Sequence, residues 1–143
     1  LVTIPLTENF DALATCGTNN NCGATVCPLT NNWVNLSNGT EDDIDWRTDA
    51  GGTPTTTSGP AFDHTTGNGN YIYLEASGGC VFQEAILVSP CIDLTNGVIP
   101  QLSFWYHADG ADMGELHVDI FEAGRIFRNN NIYFDIVREQ LYS

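Results

Sequence analysis

Short runs of alternating apolar and polar residues recur along the chain, and clusters of Gly, Asn, Thr and Pro separate them. A period of two is typical of strands that bury one face, and no 11-residue window has the 3.6-residue period of an amphipathic helix. Strands at this spacing without intervening helices indicate an all-β, antiparallel sandwich. The predicted strands are residues 2–6, 33–36, 44–47, 71–76, 85–88, 101–107, 115–121 and 132–137.

Two connections are longer than usual for a compact domain. Residues 16–32 and 50–70 are rich in Gly, Asn, Thr and Pro, and loops of this length are often functional or tied by disulfides. The tail also differs in charge, since residues 1–124 hold one Arg and 16 acids whereas residues 125–143 hold three Arg and two acids. We therefore predict a β-sandwich domain over 1–124, followed by a tail that is a final strand or a truncated end.

The acidic composition excludes several classes of partner. The chain has a formal charge of −14, and its four basic residues are all Arg. It lacks the cationic surface that binds nucleic acid or anionic lipid, and no apolar run approaches the ~18–20 residues of a membrane-spanning helix. Because the chain begins at Leu1, without Met or a leader, we expect a mature or excised segment of a secreted protein.

The five cysteines predict disulfides in an oxidising compartment, because they form no C-x-x-C pair and lie far from the histidines. A six-residue strand over 84–89 would span ~20 Å, whereas disulfide Cα atoms lie ~4.4–6.8 Å apart. Cys80 and Cys91 would therefore bond to each other only if that segment folds back. We favour one local bridge among Cys16, Cys22 and Cys27 and one longer bridge to Cys80 or Cys91. The remaining thiol is then buried or bonded outside the chain.

Acidic residues at 41–45 are the first candidate site, with three Asp in four positions. Carboxylates are the main ligands of hard cations such as Ca²⁺. In a strand, Asp43 and Asp45 would share one face, and Asp11 and Asp63 are further candidate ligands. The alternative is a solvated acidic loop with turn-capping Asp side chains. We expect any bound Ca²⁺ to be structural.

Catalytic patterns are weak. Glu115, His117 and Asp119 would share a strand face, but Glu115 and Asp119 would lie ~13 Å apart, beyond the ~5–9.5 Å of glycosidase carboxyl pairs. The sequence has no G-x-S-x-G motif and no His/Cys cluster. We therefore predict that the chain is not an enzyme.

Aromatic residues and sequence triplets offer other recognition chemistry. Tyr71 and Tyr73 would share one face as a sugar-stacking platform, although ordinary cross-strand packing is the favoured interpretation. The F-W-Y run at residues 104–106 is expected to lie mostly in the core. Two N-x-S/T triplets begin at Asn35 and Asn38, and they matter only where the source glycosylates Asn.

A series of motifs in fixed order resembles the MAM domain, the module named for meprin, A5 protein and receptor tyrosine phosphatase mu. An N-terminal T-E-N-F-D at residues 7–11 resembles the opening strand of that family. The Asn- and Thr-rich composition is most similar to MAM-like modules of secreted Bacteroidetes-type bacterial proteins. The seven motifs, together covering roughly residues 7–124 with the opening strand, are D-D-I-D-W, T-S-G-P, D-H-T, G-N-Y-I-Y-L-E-A-S, A-I-L-V-S-P, L-S-F-W-Y-H and G-A-D-M-G-E-L-H-V.

This resemblance implies a jelly-roll β-sandwich that is extracellular, non-catalytic and adhesive, with a structural cation near the F-D and D-W elements. Animal members carry a Cys where this chain has Pro100 and Gln101, so their disulfide pairing is not carried over. The family continues for several strands after Glu122, and about twenty residues follow here. The sandwich is therefore expected to be short of strands, with an open edge that could pair with another chain.

We accordingly expect an adhesion or protein-interaction module of a larger secreted or cell-surface protein, stabilised by disulfides and Ca²⁺. Its negative charge would favour cationic partners or Ca²⁺-bridged contacts. The alternatives are a carbohydrate-binding jelly-roll module attached to a secreted polysaccharide-degrading enzyme, and an accessory domain of a secreted protease.

Overall fold

The computed structural model describes residues 1–16, 27–55, 57–76, 79–95, 100–109, 114–122, 125–127 and 133–138, with side chains described up to residue 120. Within these ranges the regular elements are strands, and none is an α-helix. This composition confirms the all-β class predicted from the period of two. The described residues contain no helix long and apolar enough to span a membrane.

Ten strands follow one another along the described chain, and each predicted strand overlaps one of them. The two short strands β6 and β9 were not predicted. The strands are β1 Val2–Thr3, β2 Val34–Asn35, β3 Arg47–Asp49, β4 Tyr71–Tyr73, β5 Leu87–Val88, β6 Ile92–Asp93, β7 Gln101–Tyr106, β8 Ile120–Glu122, β9 Arg125–Phe127 and β10 Tyr133–Arg138.

The strands form five two-stranded pairs. β2–β5, β3–β4 and β8–β9 are antiparallel, as predicted. β1–β6 and β7–β10 are parallel, which differs from the fully antiparallel expectation. Parallel neighbours need a long connection between them, and both pairs join strands that are distant in sequence. The longest pairing places β10, from the basic tail, beside β7 over six residues, and the predicted division at 124 stays a prediction.

The core lies around β3 and β4 and contains many polar groups. Ile44 and Tyr73 are buried beside Arg47, Thr48 and Asp49 of β3. Arg47 is 0% exposed, and it is the sole Lys or Arg in residues 1–124. The β3–β4 ladder pairs the backbone groups of this core, whereas Thr48 Oγ1 and Asp49 Oδ2 are buried without a hydrogen-bond partner among the described residues, which is costly.

The acidic segment does not form the strand predicted over 44–47. Pairing with β4 begins at Arg47, so residues 43–46 precede the strand. Asp43 is exposed while Ile44 and Asp45 are both buried. The prediction that Asp43 and Asp45 share one face is therefore wrong, because the alternation of an extended strand does not apply to this segment.

Disulfides tie the N-terminal part to the core. Cys16 is bonded to Cys27 with a Cα–Cα distance of 5.7 Å, which is a short bridge of the kind expected. Cys80 is also disulfide-bonded, and Cys22 lies outside the described residues. Cys91 is a free, exposed thiol, so of the two expected fates the buried one is wrong, and a bond to something outside the chain stays a prediction. Because Cys80 is bonded and Cys91 is free, these two cysteines are not bonded to each other.

Candidate functional site

The acidic segment docks through its carboxylates onto the chain before β5. Asp42 Oδ2 accepts a hydrogen bond from the Ile86 N–H at 2.8 Å, and Asp43 Oδ2 accepts one from the Glu84 N–H at 2.9 Å. The Glu84 carbonyl in turn accepts hydrogen bonds from the Asp43 and Ile44 N–H groups. These side chains therefore take the place of a strand ladder between the two segments.

Burial and neighbouring carboxylates both disfavour the charged form of Asp42. Burial raises the pKa of the Asp42 carboxyl, and the neighbouring Asp45, Asp43 and Glu41 raise it further, while the Ile86 N–H opposes the rise. Asp42 is 6% exposed, and its Oδ1 has no hydrogen-bond partner among the described residues. The segment thus carries a carboxylate that is costly to keep charged.

Asn35 and Asp45 join this segment to the Cys16–Cys27 bridge. Asp45 Oδ2 accepts a hydrogen bond from the Cys27 N–H at 2.7 Å. The Asn35 amide donates to the carbonyls of Cys27, at 3.1 Å, and Trp46, at 2.9 Å, and its Oδ1 accepts from the Trp46 N–H at 3.0 Å. One side-chain amide therefore links β2 to two other segments.

Asp11 and Asp63 meet at the turn before β4. Asp63 Oδ1 accepts a hydrogen bond from the Gly69 N–H at 2.5 Å, and Asp11 Oδ1 accepts one from the next N–H, that of Asn70, at 2.7 Å. A Cβ on Gly69 would collide with Asp11 Oδ1, so this close approach requires glycine. Burial opposes the change, but hydrogen bonds from Thr66 and Gly69 outweigh it and lower the pKa of Asp63.

The four predicted metal ligands are therefore divided between two places. Asp11 and Asp63 lie together at Gly69 and Asn70, whereas Asp43 and Asp45 bind the Glu84 and Cys27 backbone. Over the described part of the chain, no three His, Cys, Asp or Glu side chains are grouped so as to hold a metal ion. The cation site stays a prediction, and the pair at the turn is its best geometric basis.

Tyr71 and Tyr73 pack rather than form a flat platform. Their ring centroids lie 6.1 Å apart and the rings are tilted by 60°. The Tyr71 hydroxyl donates to the Gly51 carbonyl at 2.7 Å, and Tyr73 is buried. Burial raises the pKa of Tyr71 to about 12, with the Asp49 charge contributing. Sugar binding here stays a prediction that this geometry does not favour, because stacking needs exposed coplanar rings.

Residues 115–119 precede β8 and do not form the predicted strand. The His117 ring lies 3.0 Å from the Glu115 carboxylate, and both side chains are exposed. Leu116, expected on the inner face, is 54% exposed. The alternating face of Glu115, His117 and Asp119 is therefore absent, because this stretch is irregular.

An aromatic contact joins the D-H-T turn to β7. The rings of His64 and Trp105 are stacked with centroids 3.7 Å apart and an interplanar angle of 17°. Trp105 is 48% exposed, so it is not the core residue that we expected, whereas Phe104 and Tyr106 are half-buried. The sequence gave no sign of this stack, because the two rings are brought together only by the fold.

The loop over residues 80–83 presents an apolar tip that the sequence analysis missed. Phe82 is 100% exposed and Val81 is 44% exposed. Phe82 has a φ of 67°, in the left-handed region that an aromatic residue rarely adopts. The Gln83 N–H donates to the Cys80 carbonyl, and Cys80 is disulfide-bonded, so the base of the loop is anchored. The apolar V-F pair beside a cysteine was the available signal.

A family model for the MAM domain, meprin/A5/mu, matches residues 9–140. The chain is 40% identical over 86 residues to Neuropilin-1a of Danio rerio, which covers 60% of this chain and 9% of that protein. It is 44% identical over 75 residues to MAM domain-containing protein 2 of Mus musculus, covering 51% of this chain and 10% of that protein. No solved structure matches the chain significantly.

These matches define the extent of the likeness. The chain spans about a tenth of the length of these curated relatives, and the family match runs past the motifs into the tail. The likeness to bacterial modules stays a prediction, because these relatives are vertebrate proteins. Since the family model covers most of its length, the chain belongs to the MAM domain family and has the jelly-roll β-sandwich fold of that family.

Proposed function

We propose that this chain is an extracellular, non-catalytic module that binds other proteins, within a larger secreted or cell-surface protein. Membership of the MAM family, together with the exposed loop over residues 80–83, supports this proposal. The paired cysteines fit an oxidising, extracellular compartment. Among the described side chains Arg47 is the one Lys or Arg, and it is buried, so the surface they form is anionic and suits a cationic partner.

The loop over residues 80–83 is the contact point in this proposal. Aromatic residues dominate the energetics of protein interfaces because they bury a large area at small entropic cost. The Phe82 side chain is fully exposed and available to a partner. Its left-handed backbone conformation is strained, so contacts from neighbouring residues are needed to maintain it. The turn to Cys80 and the disulfide at that residue supply this support.

Flow cytometry with fluorescent tetramers of the secreted chain tests the proposal on a panel of live cells. We expect Phe82→Ser to weaken staining by roughly thirtyfold, since an anchoring aromatic contributes about 2 kcal/mol or more. Phe62→Ser is the matched control, because Phe62 is also an exposed phenylalanine (56%) and lies in another loop. Absence of staining by the wild type, or equal staining by Phe82→Ser, would contradict the proposal.

We also propose that a structural Ca²⁺ binds at Asp11 and Asp63. Both carboxylates face one turn, where they accept hydrogen bonds from the N–H groups of Gly69 and Asn70. Ca²⁺ takes about six to eight oxygens, so backbone carbonyls or water would complete the set. Asp11 and Asp63 would supply two of its ligands, whereas Asp43 and Asp45 lie at a different place, on the Glu84 and Cys27 N–H groups.

Thermal unfolding with CaCl₂ or EDTA tests the cation. An ion at ~100 times its Kd stabilises the folded state by about 2.7 kcal/mol, which raises the Tm by roughly 10 °C. We expect Asp63→Asn to abolish this rise and Asp43→Asn to retain it. An unchanged wild-type Tm, or equal loss in both variants, would contradict the assignment.

A further inference from the structure

We infer that Asn38 is an acceptor site for N-linked glycosylation and that Asn35, in the neighbouring triplet, is not. Both begin an N-x-S/T triplet, Asn35-Leu36-Ser37 and Asn38-Gly39-Thr40. Both triplets match the sequence pattern equally well, but the two Asn side chains differ in exposure and hydrogen bonding. The inference rests on the proposed extracellular location only in that the chain must pass through a glycosylating secretory pathway.

The amide of Asn35 is fully occupied. Its Nδ2 donates to the carbonyls of Cys27 and Trp46 at 3.1 and 2.9 Å, and a primary amide has two N–H donors. Its Oδ1 accepts from the Trp46 N–H, and the residue is half-buried in β2. A sugar on Nδ2 would replace one of these hydrogens and would need the space filled by the Cys27 or Trp46 backbone.

Asn38 has the opposite surroundings. It is exposed, and no hydrogen bond of its side chain is found among the described residues. Gly39 and Thr40 are exposed as well, and open space surrounds the position of a Cβ on Gly39. Hydrogen bonds within the turn stabilise it: the Gly39 N–H donates to the Asp42 carbonyl, and the Thr40 N–H and hydroxyl donate to the Ser37 carbonyl. A bulky group on Asn38 Nδ2 therefore leaves these contacts intact.

The transfer itself adds no further requirement on the fold. Asn Nδ2 forms a bond to C1 of the first sugar of a polyprenyl-pyrophosphate oligosaccharide, and the bond from C1 to the phosphate oxygen breaks. The pyrophosphate leaves with the electron pair, and an Nδ2 proton goes to a base. Because transfer can precede folding, both triplets can react, but only the product on Asn38 is compatible with the folded domain.

Secretion of the chain from mammalian cells tests the inference, whatever its native location. Ser37→Ala removes the first triplet without touching the Asn35 amide, and Asn38→Gln removes the second. We expect the secreted wild type and Ser37→Ala to carry one glycan that peptide-N-glycosidase releases, and Asn38→Gln to carry none. Peptide mass spectrometry after release in H₂¹⁸O should mark Asn38 in the wild type.

Two kinds of result would overturn the inference, and a second variant covers a failure of secretion. A secreted wild type without glycan, or one whose label is on Asn35, would overturn the inference. A glycan retained on folded Asn38→Gln, judged by an unchanged Tm, would do so as well. If Asn38→Gln is not secreted, Thr40→Ala removes the same triplet and is expected to lack the glycan. Cell-surface binding is not measured, so failure here is separate from failure of the proposed function.

Discussion

Asn35→Ala should destabilise the domain far more than a typical substitution in a loop-rich protein. The Asn35 side chain makes three hydrogen bonds, two to Trp46 and one to Cys27. Each contributes about 1 kcal/mol net, and the released Trp46 N–H and carbonyls lose partners in a half-buried region. We expect a loss of about 3 kcal/mol in the free energy of unfolding, a large part of the ~5–15 kcal/mol of a typical domain.

Urea unfolding followed by tryptophan fluorescence measures this loss, with disulfides kept oxidised. Trp33 lies two residues before Asn35 in sequence, and the Trp46 backbone is hydrogen-bonded to the Asn35 side chain. The fluorescence signal therefore includes the region around the altered side chain. Asn38→Ala is the control, because it removes the same amide from an exposed position and should change stability by less than about 0.5 kcal/mol. A difference between the two variants below about 1 kcal/mol would refute the reasoning.

Further predictions concern the disulfide, two carboxylates and the thiol. Replacing both Cys16 and Cys27 by Ala should cost about 3 kcal/mol, as expected from a separation of 11 residues, with calorimetry as the measurement. Folding raises the pKa of Asp42, so the charged carboxylate destabilises the folded state once the pH rises above the pKa of the unfolded chain. The urea midpoint of the wild type should therefore fall as the pH rises through this range, and Asp42→Asn should reduce that fall. The pKa of Asp63 is lowered, so it stabilises above about 3.8 and this stability is lost as pH falls below that value; Asp63→Asn should be destabilising at pH 7 and nearly neutral in strong acid. Maleimide should label Cys91 in the native chain, and peptide mass spectrometry should find that labelled peptide lost in Cys91→Ser.

The fold was largely predictable from the sequence because strands leave a period of two. Tyr71–Tyr73 and Gln101–Tyr106 were found by alternation and by their apolar content. β6 and β9, of two and three residues, were not predicted. The acidic segment was assigned to a strand, since alternation cannot distinguish a ladder from carboxylates that bind a distant backbone.

The candidate site was predictable only in its residue types. Asp11 and Asp63 could be named from their chemistry, but their meeting at Gly69 depends on contacts between residues far apart in sequence. The Asn35 amide network and the His64–Trp105 stack have the same origin. The exposure of Phe82 depends on the turn that carries it, and a sequence pattern does not report which apolar residues remain uncovered.

The burial of Arg47 has a practical consequence for proteolysis. Trypsin cuts after Lys and Arg, and Arg47 is the one such residue within 1–124. Its side chain is inaccessible in the native state, so a protease reaches that bond only when β3 opens. The rate of tryptic cleavage after Arg47 therefore reports how often the core around β3 opens, without a label or an engineered site.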